Sequence, residues 1–158
     1  MRAIGRLSAI ALIVWIAGAV PAMAETPGDP YPSPLIRIYK AVDVRTKITF
    51  GDLWLSATVG RFDGLRGRME IRYVETLPPS ADPDLSGARI YQILNYAQYF
   101  NINRRKIGSC TLPAKWVGMR DLGNMQIRVT LIMSNDFHIP VGQNQGICSA
   151  DSYRLPAQ

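Results

Sequence analysis

The chain holds two cysteines, Cys110 and Cys148, and the segment they frame limits the possible folds more than any other. Within it, Lys115 to Met133 reads as a β-hairpin. Met125, Ile127, Val129, Leu131 and Met133 alternate with Gln126, Arg128 and Thr130, the period of a half-buried strand. Asp121-Leu-Gly-Asn124 supplies the turn, and Ile132 is an apolar exception on the outward side. A Cys110–Cys148 disulfide would close the hairpin and the loop after it into one unit. On the chain-entropy account such a link is worth about 3–4 kcal/mol. Cys-x-x-Cys is absent, which argues against a redox pair, and Cys110, Cys148 and His138 lack the spacing of a zinc site.

Disulfides belong to oxidising compartments, and the N-terminus points the same way. Arg2 and Arg6 form a short basic region, Leu7 to Val20 is apolar, and Ala22-Met23-Ala24 is a small-x-small cleavage pattern. Residues 1–24 are therefore expected to be a cleaved signal peptide. Residues 25–34 form a proline-rich leader, too rich in proline for helix. Residues 35–158 are expected to be one domain. The apolar run is shorter than the roughly 20 residues a spanning helix needs, so no stable membrane anchor is expected after cleavage. Periplasmic localisation is expected, with secretion as the alternative.

The formal charge is +6, and loss of Arg2 and Arg6 lowers it by two. A mildly basic chain is attracted weakly to anionic surfaces. It lacks the dense basic stripe of a nucleic-acid binder, so nucleic acid is not an expected partner.

Along the rest of the chain, Leu35 to Val44 reads as a first strand, with Ile36 and Ile38 alternating against Arg37 and Tyr39. Leu53 to Val59 alternates cleanly, as do Met69 to Val74. Strands at about 53–60 and 67–76 should pair antiparallel across the glycine-rich Gly60–Arg68. From about 84 to 104 the period turns helical, with Ile90, Ile93, Leu94, Ala97 and Phe100 in one stripe and Arg104-Arg105-Lys106 at the end. Cys148 to Gln158 reads as a tail. The expected fold class is α+β: a mainly antiparallel sheet of about five to six strands packed against one principal helix (about 84–104), with one disulfide.

Ser134, Asp136 and His138 share strand parity, but a catalytic triad needs the imidazole between hydroxyl and carboxylate; here the aspartate is in the middle. The acidic residues are scattered and no two are paired by spacing. No cofactor fingerprint is visible. The candidate ligand-binding residues are Arg61, Arg66 and Arg68, whose turn carries glycines able to free backbone amides for a phosphate or carboxylate. Tyr99 joins them, because it falls nearly opposite the apolar stripe and is expected to be exposed. The expected role is binding rather than catalysis, the partner being an envelope protein or a small anionic ligand. The alternatives are a small hydrolase using dispersed carboxylates or His138, and a structural subunit or homo-oligomer.

Overall fold

A computed structural model describes residues 32–79, 84–107, 109–138 and 146–157. The expected signal peptide and most of the proline-rich leader lie outside the described residues.

Eight antiparallel strands follow one another around a closed barrel. They are β1 (Arg37–Ala41), β2 (Leu53–Leu55), β3 (Val59–Phe62), β4 (Met69–Thr76), β5 (Arg89–Ile93), β6 (Trp116–Gly123), β7 (Gln126–Ile132) and β8 (Ile147–Arg154). Two short helices interrupt them: α1 (Val44–Thr49) after β1 and α2 (Tyr96–Asn103) after β5. The barrel closes where β1 meets β8, through the pairs Lys40↔Arg154 and Ala41↔Tyr153 and a 3.0 Å bond from Val42 N–H to the Ser152 carbonyl. A barrel of eight strands is just wide enough for side chains to fill. Leu53, Leu55, Phe62, Met69, Ile71, Val117, Ile127, Val129 and Tyr153 do so. Phe62 stacks between Phe50, at 5.3 Å, and Tyr153, at 6.0 Å.

This overturns the expected α+β fold with a principal helix at 84–104. Its first half is strand β5, and the helix is only Tyr96–Asn103. The cause is burial on both faces of β5. Tyr91 and Ile93 enter the barrel core, while Ile90 faces outward into a second cluster with Leu77, Leu85, Ala88, Ile132 and Phe137. A strand covered on both sides loses its polar alternation, and here the apolar positions happened to fit a helical stripe. The same outer cluster covers Ile132, so the outward exception in the hairpin is packed rather than free. Gly118 lies beneath Leu85, whose Cδ2 would stand 2.8 Å from any Cβ placed there.

Strand number was underestimated for two further reasons. The run expected as one strand at 53–60 breaks at Ser56, whose N–H and hydroxyl bond to the backbone of Val59, giving β2 and β3. The expected tail is β8. Its inward positions, matched to Leu131, Val129 and Ile127, are Ser149, Asp151 and Tyr153, so the closing strand carries no apolar alternation to read.

Other local readings shift in phase. In β1 the buried residue is Tyr39, with Ile36 exposed. Val44–Thr49, whose first residue was expected to end the β1 strand, is helical, because the Asp43 carboxylate accepts the Thr46 N–H at 2.8 Å as an N-cap. The hairpin turn falls at Asn124-Met125, both at positive φ, two residues past its expected centre. The inward parity of Ile127, Val129 and Leu131 agrees with the alternation. The Cys110–Cys148 disulfide is present, joining the segment after α2 to the start of β8.

Candidate functional site

One end of the barrel is built by three segments: α1, the β3–β4 turn and α2 with the chain just beyond it. The turn is seated by a close approach. Gly64 N–H donates to the Phe50 carbonyl at 2.8 Å, and a Cβ on Gly64 would lie 2.8 Å from the Phe50 carbonyl carbon. From the other side, α2 grips the turn through two asparagines that behave as surrogate strand partners. Asn103 accepts the Arg66 N–H at 2.7 Å and donates to the Arg66 carbonyl at 2.9 Å. Asn95 accepts the Glu70 N–H at 3.0 Å and donates to the Arg68 carbonyl at 2.9 Å. Lys106 Nζ adds a 2.7 Å bond to the Gly64 carbonyl.

These contacts draw Arg66 beside Arg104, Arg105 and Lys106 around a cleft of about 470 Å³, whose other walls are Asn101, Ile102 and Asn103. Among the described residues no carboxylate lies within ion-pair distance of Arg66, Arg104 or Arg105. Lys106 also lines a neighbouring depression of about 300 Å³ with Arg45, Thr49, Ser109, Ser149 and Asp151. The acids at this end are engaged internally. Thr46 Oγ1 lies 2.7 Å from both Asp43 Oδ2 and Asp151 Oδ1, and Ser149 donates to Asp151. A single hydroxyl proton serves only one of the two carboxylates. Bonds from the Thr46 N–H and hydroxyl hold Asp43 below the usual carboxylate range.

Of the four residues expected to bind a ligand, only Arg66 lines the cleft. Arg61 sits on β3 opposite Trp54, on the barrel's flank. Arg68 contributes its carbonyl to Asn95 and is absent from the cleft walls. Tyr99 is not exposed: only 5% of it is accessible, because the residues N-terminal to α2 are strand and the helix turns Tyr99, Phe100 and Asn103 inward. Its burial raises its pKa far above the ordinary tyrosine value. Tyr153 is raised likewise, first by burial and then by Asp151 and Asp43. Neither hydroxyl has a hydrogen-bond partner among the described residues. Where α2 meets the barrel, beside Tyr99, the remaining void is about 10 Å³, no more than one water's room.

The roles of Asn95 and Asn103 had no signature in the sequence. Two amides bracketing a helix are commonplace, and what they grip is a turn some 30 residues earlier.

His138 lies elsewhere, on the flank beside Phe137. Its Nδ1 is 3.0 Å from Asp136 Oδ1 and its Nε2 is 3.1 Å from Glu75 Oε1. Ser134 directs its hydroxyl to the Asp136 carbonyl rather than to the imidazole. Among the described residues no group of three or more His, Cys, Asp or Glu side chains is placed to hold a metal ion.

No protein-family model matches this chain, and neither a curated protein nor a solved structure does.

Proposed function

Taking this chain as unmatched, we propose that it is a small exported, non-enzymatic protein that binds an anionic ligand in the cleft of Arg66, Arg104, Arg105 and Lys106. The observation that carries the reading is that arginines from two distant segments line one cleft and, among the described residues, have no carboxylate within ion-pair distance. Arginine is unusually well suited to phosphate and carboxylate, because its planar fork donates two parallel hydrogen bonds. Unpaired like charges repel one another, and an anion bound between them offsets that cost. The Asn103 clamp holds the two segments in place before a ligand arrives, which reduces the ordering cost of binding. The apolar segment followed by a small-x-small site, and the disulfide, support export to an oxidising compartment.

The test is calorimetric titration of pyrophosphate, at low salt, into the chain beginning at Glu25, which contains every strand of the barrel. Binding is expected, and the double variant R66S/R105S should weaken it by at least about tenfold. Absence of binding, or equal binding by the variant, would refute the cleft as an anion site.

A further inference from the structure

The cationic end of the barrel also displays exposed aliphatic side chains, two of them on one helix face. On α1, Val44 is 74% and Ile48 79% exposed, and they lie four residues apart on one face of the helix. Arg45 and Lys47 flank them. Arg45 and Thr49 share the smaller depression with Lys106, so α1 and the end of α2 border one continuous surface. Across it, Ile102 is 49% exposed beside Arg66, and it covers Gly67 in the β3–β4 turn, with its Cδ1 3.0 Å from any Cβ placed there. The acids of these segments, Asp43, Asp63 and Asp151, are outnumbered by Arg45, Lys47, Arg66, Arg104, Arg105 and Lys106, and Asp43 and Asp151 both face Thr46.

We infer that this end of the barrel docks on an anionic phospholipid surface. Arg45, Lys47, Arg104 and Arg105 would meet the phosphates, while Val44, Ile48 and Ile102 enter the headgroup–acyl boundary. Charge complementarity favours that occupant. The form of the apolar groups favours it over a protein partner. Protein interfaces gather tyrosine, tryptophan and arginine into a central desolvated patch. Here the exposed groups are aliphatic, with Val44 and Ile48 on one face of α1 and Arg45 and Lys47 beside them, an apolar face bordered by cations as on elements that lie in a membrane interface. The inference shares its arginines with the proposed anion cleft but adds the aliphatic residues, which that cleft's soluble ligand would not need.

The test is co-sedimentation of the chain from Glu25, free of the apolar N-terminal segment, with vesicles. Wild type should bind phosphatidylcholine vesicles containing about 30 mol % phosphatidylglycerol at low salt and should not bind pure phosphatidylcholine vesicles. V44S/I48S should weaken vesicle binding by about tenfold while leaving pyrophosphate titration unchanged. Both substitutions are on exposed positions, and an unaltered thermal melt would show that the fold is retained. R104S/R105S should weaken vesicle binding further. Wild type remaining in the supernatant, or V44S/I48S binding as tightly as wild type, would overturn the docking face. Loss of pyrophosphate binding with retained, Val44- and Ile48-dependent vesicle binding would overturn the cleft alone.

Discussion

The Asn103 side chain pairs with both backbone groups of Arg66, accepting its N–H at 2.7 Å and donating to its carbonyl at 2.9 Å. It also donates to the Tyr99 carbonyl at 2.9 Å within its own helix. One buried amide thus fixes the distance between the two basic segments. Asn103→Ala strands those backbone groups, and the expected cost is about 2–3 kcal/mol of stability. Anion affinity should fall as well, although no charge is removed. Urea unfolding and pyrophosphate titration of the variant measure the two effects. Unchanged affinity would show that the clamp does not organise the cleft.

A further support of the turn, beside the bonds from Asn95 and Lys106, is the contact of Gly64 with Phe50. A Cβ there would meet backbone atoms, which cannot rotate away as a side-chain tip can. Gly64→Ala is expected to destabilise the barrel by about 1–3 kcal/mol, read as a lower urea midpoint. Gly123→Ala provides a contrast. Its Cβ meets nothing within 4 Å, and its cost would come from positive φ alone.

Stability should fall in strong base, and the buried tyrosines give the sign. Tyr99 and Tyr153 have folded pKa values raised by burial, so above about pH 10 the unfolded chain releases their protons first. Their contribution is complete below that pH and is lost as pH rises. Tyr153→Phe should remove part of the alkaline loss. Its hydroxyl has no partner among the described residues, so the change at pH 7 should be within about 1 kcal/mol. In acid the sign reverses. Asp43, bonded by Thr46, and Asp52, bonded first by Lys40, have depressed values, so stability is lost as pH falls through them. Melting temperature against pH, for wild type and Tyr153→Phe, checks both limbs.

The disulfide should matter to stability more than to binding. Cys110 and Cys148 are separated by 38 residues in sequence, and replacing both with alanine is expected to cost about 3–4 kcal/mol. Thiol titration of the denatured, unreduced wild type should find no free thiol; two would contradict the bond.

Local patterns were legible where the outward residues of an element are polar. In the β6–β7 hairpin Gln126, Arg128 and Thr130 alternate with inward apolar residues even though the outer cluster covers its far end at Ile132, and the turn lies two residues past its expected centre. β5 and β8 were not legible, for opposite reasons. β5 is apolar toward both faces, so its pattern imitates a helix. β8 is polar on the face that closes the barrel, so its pattern imitates a tail. The burial of Tyr99 was hidden for the same reason: the stripe that placed it outward was defined by Ile90, Ile93 and Leu94, which are not in the helix, and α2 by itself turns Tyr99, Phe100 and Asn103 inward.

The chain's local order was enough to show which residues of β7 face inward, a two-residue period within one element, and to make Cys110–Cys148 the one disulfide available; that the two Cα atoms come within 4.8 Å was decided by the tertiary structure. Barrel closure depends on partners such as Ala41 and Tyr153, which are distant in sequence and show no pairing signal. The meeting of Arg66 with Arg104, Arg105 and Lys106 is of the same kind. The sequence shows two separate groups of cations, each unremarkable at a turn or a helix end. Only the packing of α2 against the β3–β4 turn, through hydrogen bonds to main-chain atoms that any residue possesses, makes them one surface.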